Sequence, residues 1–83
     1  MKITVKLFAT LGQYLPEGSA DHQAVVEVAD GAAATEVMAA LGLAEENCHL
    51  VLVNGVYLEP SRRGSHALSE NDVLAIWPPV AGG

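Results

Sequence analysis

Eighty-three residues hold a single cysteine, one phenylalanine, one tryptophan, two tyrosines and only four lysines or arginines. Each shortage excludes something. One thiol, Cys48, forms no intrachain disulfide, and no second cysteine lies at zinc-ligand spacing, so a reducing compartment and a cytoplasmic location are expected. Ten acidic residues against four basic ones give a formal charge of −6. Such a chain repels phosphate backbones and anionic membrane surfaces, so neither nucleic acid nor membrane is an expected partner. The charge either steers the body toward a basic protein or simply keeps a small apolar domain in solution. No stretch approaches the ~20 apolar residues of a membrane span. The opening Met1-Lys2-Ile3-Thr4-Val5-Lys6 alternates instead of running apolar, unlike a secretory leader. His22, His49 and His66 stand apart, with no acid at catalytic or metal-binding spacing, and no metal is expected. No glycine-rich phosphate loop opens a helix.

What is present is patterned. Residues 2–9 place Ile3, Val5 and Leu7 on one face and Lys2, Thr4, Lys6 and Phe8 on the other, a half-buried strand. Gly12, Pro16, Gly18 and Ser19 mark a loop over residues 10–22, with Leu11, Tyr14 and Leu15 packing beneath it. Ala24 to Val28 reads as a second strand with Val26 and Val28 inward. Ala32 to Leu41 is a helix stopped by Gly42, its stripe made by Ala34, Val37, Met38 and Leu41. Its start is open: Thr35 suits the cap of a shorter helix, and Glu36 suits the positive end of a longer one. His49 to Val53 is a third strand, turned by Asn54-Gly55 into Val56-Tyr57-Leu58. A loop from Glu59 to Ala67 carries Arg62 and Arg63, expected as a solvated pair, with contact to an acidic partner or a phosphate as the alternative. Ser69 to Asp72 turns the chain, with Asn71 suited to the left-handed conformation. Val73 to Trp77 is the last strand, and Pro78-Pro79 cannot continue it without N–H donors. The order β, β, α, β, β, β implies an α+β roll of one domain.

No internal active site is visible, and Cys48 reads as a half-buried, inert thiol. A carrier or binding module fits better than an enzyme. The sequence ends on Val80-Ala81-Gly82-Gly83 after Pro78-Pro79. Two residues without Cβ atoms thread a channel that a side chain would plug. The proline pair sets an extended base, and residues 78–83 reach roughly 20 Å. A carboxylate on Gly83 is an unreactive electrophile until ATP converts it to an acyl-adenylate. A sulfur donor then leaves a thiocarboxylate, which needs a cleft that excludes water. A frayed glycine end without a role is the bland alternative.

Three segments carry a family resemblance: Val53-Asn54-Gly55, Ala67-Leu68-Ser69-Glu70-Asn71-Asp72-Val73, and Pro78-Pro79-Val80-Ala81-Gly82-Gly83. Together they resemble the ubiquitin-like sulfur carriers. The tail is most similar to the small subunit of molybdopterin synthase (MoaD). The spacing from Asn54-Gly55 to Asp72, with Pro60 and His66 between, also resembles the thiamine-pathway carrier (ThiS). The resemblance implies a β-grasp fold over residues 1–78, a mixed sheet of four to five strands with one main helix, and a diglycine tail over 79–83. It implies no permanently bound cofactor, with ATP used by a ubiquitin-activating-like adenylyltransferase. It also implies a thiocarboxylate on Gly83, supported by Gly82, and a large synthase subunit that accepts the tail. In a β-grasp fold the first and last strands are neighbours, with Leu74 and Ile76 joining Ile3, Val5 and Leu7 in the core. Phe8 and Trp77 then share the outer face beside Pro78, Pro79, Val80 and Ala81, as a partner anchor or partly covered by the chain's own loops. A modifier joined to lysines through Gly83 begins with the same adenylate.

Overall fold

A computed structural model describes residues 1–79. Alternation in the first strand has its expected consequence: in β1, Lys2–Leu7, the side chains of Ile3, Val5 and Leu7 are fully buried. The strand ends earlier than the sequence pattern suggests, because Ala9 turns to φ 52° and opens a 3-10 turn, Ala9–Tyr14, that buries Leu11. β2, Gln23–Glu27, runs antiparallel to β1 with Ile3 opposite Val26. Val26 and Val28 pack against the core while Val25 is 66% exposed.

The helix α1, Ala34–Ala40, is shorter at its start than the alanine run implies. Ala33 stays extended at φ −89°, ψ 164°, and forms a bridge with Ala67. The cap is not Thr35. Glu36 reaches back so that its Oε1 accepts the Ala33 N–H at 3.1 Å, satisfying a donor at the positive end of the helix. Gly42 closes the helix at φ +83°, as the sequence suggests. Ala34, Val37 and Met38 carry the helix's buried stripe into the core.

β3, Leu50–Val53, turns through Asn54 (φ 52°) and Gly55 (φ +81°) into β4, Val56–Tyr57. Two positive φ values in a two-residue loop match the twist of a hairpin. A 3-10 turn, Pro60–Arg62, follows, and β5, Val73–Trp77, completes the sheet. The strand order is β2-β1-β5-β3-β4. β1 and β5 are parallel neighbours at the centre; the other pairs are antiparallel. Leu74 and Ile76 lie opposite Val5 and Leu7 and are fully buried with them. This mixed sheet with one main helix on its inner face is the ubiquitin-like β-grasp.

Arg63 departs from expectation. It is not half of a solvated pair: Arg62 is exposed, whereas Arg63 is 6% exposed, the one buried charged residue among those described. Its guanidinium donates to three backbone carbonyls, those of Leu58 (3.0 Å), Cys48 (2.8 Å) and His49 (3.2 Å). A fixed fork of donors suits this arrangement, and three carbonyl dipoles take the place of a carboxylate.

Candidate functional site

The two centre strands deliver two aromatic rings to one place. Phe8 follows β1 on its outward face, and its N–H donates to the Ile76 carbonyl at 3.1 Å, the last rung of the parallel ladder. Trp77 ends β5 opposite Leu50 on β3, and its carbonyl accepts the His49 N–H at 2.9 Å. The rings of Phe8 and Trp77 stack with centroids 4.3 Å apart and planes 5° from parallel. Contact of this kind contributes about 1 kcal/mol beyond the area it buries. Both rings stay half-buried, and the chain leaves them through half-buried Pro78 and exposed Pro79. Among the candidate site residues, Phe8, Trp77, Pro78 and Pro79 are therefore brought together. Val80, Ala81, Gly82 and Gly83 lie outside the described residues.

A third ring extends the stack. His22 stacks with Phe8, with centroids 6.2 Å apart and planes 19° from parallel. By sequence alone, His22 is an isolated loop histidine. Asp21 and His22 both take positive φ, 56° and 59°, in a tight turn closed by Gln23 N–H to the Ala20 carbonyl. The His22 carbonyl then accepts the Leu7 N–H at 2.8 Å, which fixes the imidazole beside Phe8. Only the neighbouring polar turn residues hinted at this geometry; the pairing across 14 positions did not show in the pattern.

The rings belong to a larger open face. Outward positions in register are Lys6, Ala75, Leu52 and Tyr57 across four strands, with Trp77 and Leu50 in the next row. This is the side of the sheet opposite the buried stripe of α1. Its centre is apolar, and both lysines of the chain, Lys2 and Lys6, stand on it. Among the described residues on it, none pairs a nucleophile with a base. Among the described residues, no group of three or more His, Cys, Asp or Glu side chains is placed to hold a metal. The arrangement is an open sheet face with an apolar centre and a stacked, half-buried ring pair where the chain leaves β5 through Pro78 and Pro79.

Residues 5–83 match the ThiS family. The chain belongs to the ThiS family. That family and its structural relatives comprise small sulfur carriers, subunits and ubiquitin-like modifiers, not catalysts in themselves. No curated protein sequence matches the chain. The HVO 2177 protein of Haloferax volcanii, solved in solution, is 27% identical with a TM-score of 0.74, covering 100% of this chain and 87% of that one. SAMP1 of Haloferax volcanii, in its crystal structure, is also 27% identical, with a TM-score of 0.69 and full coverage of both chains. A chain in the complex of subunits 1 and 2 of the molybdopterin-converting factor from Helicobacter pylori shares the fold at 20% identity. Its TM-score is 0.62, and both chains are covered fully. No helix among the described residues of this ThiS-family chain is long and apolar enough to cross a membrane.

Proposed function

We propose that this ThiS-family chain is a sulfur carrier whose working atom is the carboxyl carbon of Gly83. A ubiquitin-activating-like adenylyltransferase joins that carboxylate to AMP from ATP and releases pyrophosphate. A sulfide-level donor then displaces AMP and leaves a thiocarboxylate. The sulfur passes to an acceptor held in a partner's cleft, and water returns the carboxylate. The acceptor we favour is a pterin precursor of the molybdenum or tungsten cofactor, bound by a large synthase subunit.

One observation carries the reading: the family match runs through residue 83, so Gly82-Gly83 falls inside the family's span. The site supports it. A stacked aromatic pair at the root of a proline-stiffened segment gives a partner something to grip while the slim tip enters a cleft. The two-subunit molybdopterin-converting factor is the source of the preference for that acceptor. The likeness to SAMP1, small archaeal modifier protein 1, favours a second reading in which Gly83 is joined to lysines of other proteins.

Both readings meet the same experiment. The full chain is incubated with ATP, the cognate adenylyltransferase and a sulfide donor, then analysed by intact mass and by peptide mapping. Carrier function gives an oxygen-to-sulfur exchange confined to the peptide that ends in Gly83. A variant with one residue appended after Gly83 is expected to fold normally, within ~0.5 kcal/mol of the parent, and to show no exchange. Exchange in the extended variant at the parent's rate would overturn the proposal. Lysine-linked adducts recovered from the native host, without exchange, would establish the modifier instead.

A further inference from the structure

We propose that Arg63 is a positioning residue for the Trp77–Pro78 peptide, where the chain leaves the sheet, acting from a distance through two peptide planes. The inference rests on the carrier reading for its functional consequence and on geometry for its cause. Arg63 Nη1 donates to the Cys48 carbonyl at 2.8 Å. That carbonyl and the His49 N–H belong to one peptide unit, which is planar and stiff. The His49 N–H donates in turn to the Trp77 carbonyl at 2.9 Å. The Trp77 carbonyl is part of the peptide unit that contains the Pro78 nitrogen. Two rigid amides in series therefore join the guanidinium to the first bond of the departing segment. Pro78 and Pro79 add no N–H of their own, so this is where the β3–β5 ladder can last set the segment's direction.

The remaining donors hold the lever steady. Arg63 Nη2 bonds the His49 carbonyl at 3.2 Å, on the far side of the same residue, and Nε bonds Leu58 at 3.0 Å, beyond β4. The Arg63 carbonyl accepts the Thr35 N–H at 3.1 Å and ties the loop to the start of α1. A charged donor also polarises the amide it grips, which strengthens the bond from His49 to Trp77. Lysine keeps the charge but lacks the planar fork, so it cannot hold three carbonyls in this geometry.

Arg63→Lys and Arg63→Met are compared with Asp72→Asn, a control at the opposite end of β5, at a temperature where all remain folded by far-UV circular dichroism. In both Arg63 variants, the His49 amide is expected to exchange with solvent at least about tenfold faster than in the parent, with the Leu52 amide unchanged. The near-UV signal of Trp77, the one tryptophan of the chain, shifts with it. In adenylation by the cognate enzyme, KM stays near the parent value and kcat falls about tenfold, since docking survives and aim does not. A His49 amide as protected as in the parent, or a kcat matching that of Asp72→Asn, would show Arg63 to be a fold staple only. If the parent chain is itself not adenylated, the carrier reading fails, while exchange at His49 still decides whether Arg63 orients the segment. Should neither Arg63 variant fold, the parent's own guanidinium spectrum decides. Slowly exchanging, separately resolved Nη–H signals support the lever, and a solvent-averaged signal overturns it.

Discussion

At the scale of single residues, the one cysteine is a measure of how dry the interior is. Cys48 is 2% exposed, and its Sγ lies 3.5 Å from the Ala44 carbonyl. Burial pushes the thiol above its ordinary pKa; Arg63 pulls it down and Glu45 pushes it further up, both less strongly. A raised folded value means that the native state holds its proton longer than the unfolded chain does. The associated stability is complete below the unfolded thiol's range and is lost as pH rises from about 8.5 through the folded value. Cys48→Ala should therefore flatten the alkaline fall in melting temperature. Iodoacetamide should label the native protein far more slowly than the urea-unfolded chain, and equal rates would refute the buried, protonated thiol. Other residues read differently in sequence and structure. Asn54 and Asp72 were legible as turn formers and as family markers, yet their partnership was not. Asn54 Nδ2 donates to Asp72 Oδ1, the Val73 N–H donates to Asn54 Oδ1, and the Ser69 N–H donates to Asp72 Oδ2, each at 2.8 Å. The marker residues clip a hairpin to the start of β5; their work is structural. Arg63 was misread because sequence shows a cation beside another cation, and only the fold brings three carbonyls to it.

At the scale of elements, punctuation by glycine was legible wherever backbone sterics alone decide. Gly42 stops α1 and Gly55 turns the hairpin, both at positive φ that a Cβ disfavours. Starts were less legible, since they depend on distant chain. The start of α1 is set by Glu36 reaching back to Ala33 and by the bridge from Ala33 to Ala67, 34 positions on. β1 ends early for a similar reason, as Ala9 turns to let Leu11 into the core. A paired substitution tests the steric argument. A Cβ on Gly42 would find room, with Tyr14 Cδ1 4.0 Å away, so the cost of Gly42→Ala is conformational. We expect a loss of about 1 kcal/mol, a fall of about 4–8 °C in the melting temperature. Gly64 has no positive φ, and its added Cβ would meet Thr35 Oγ1 at an ordinary 3.7 Å. Gly64→Ala should be neutral or slightly stabilising. Equal losses at both sites in thermal melts would mean that crowding, not φ, limits these positions.

At the scale of the whole molecule, helix and sheet bury one face, and the opposite face is left open, with the chain leaving it at the end of the middle strand, β5. The alternation of β1 made its two faces legible, and Phe8 beside Trp77 followed from the resemblance to β-grasp carriers, which makes the first and last strands neighbours. The third ring, His22, was not legible, because a histidine in a polar turn carries no period. Charge is divided along the same line. Lys2 and Lys6 stand on the open face, and of the ten acidic residues only Glu27 occupies a strand position there. The other nine acidic residues lie outside the strands. In the proposed carrier this face, with its apolar centre and stacked rings, receives the partner, and Trp77 is its most informative residue. Trp77→Ala removes the stack with Phe8, about 1 kcal/mol beyond the area that the half-buried ring covers, while Leu74, Ile76 and the remaining core stay in place. The melting temperature should therefore fall modestly. Affinity for the cognate adenylyltransferase should fall much further, by about 2 kcal/mol, since half-buried aromatics at the centre of an interface dominate its energy. Phe8→Ala should do the same, and the double variant should lose less than the sum, because either single change already breaks the stack. Calorimetric titration alongside thermal unfolding separates the two effects. Strict additivity would mean that the rings act apart. A steep loss of stability with unchanged affinity would assign Trp77 to the core and overturn its proposed part in docking.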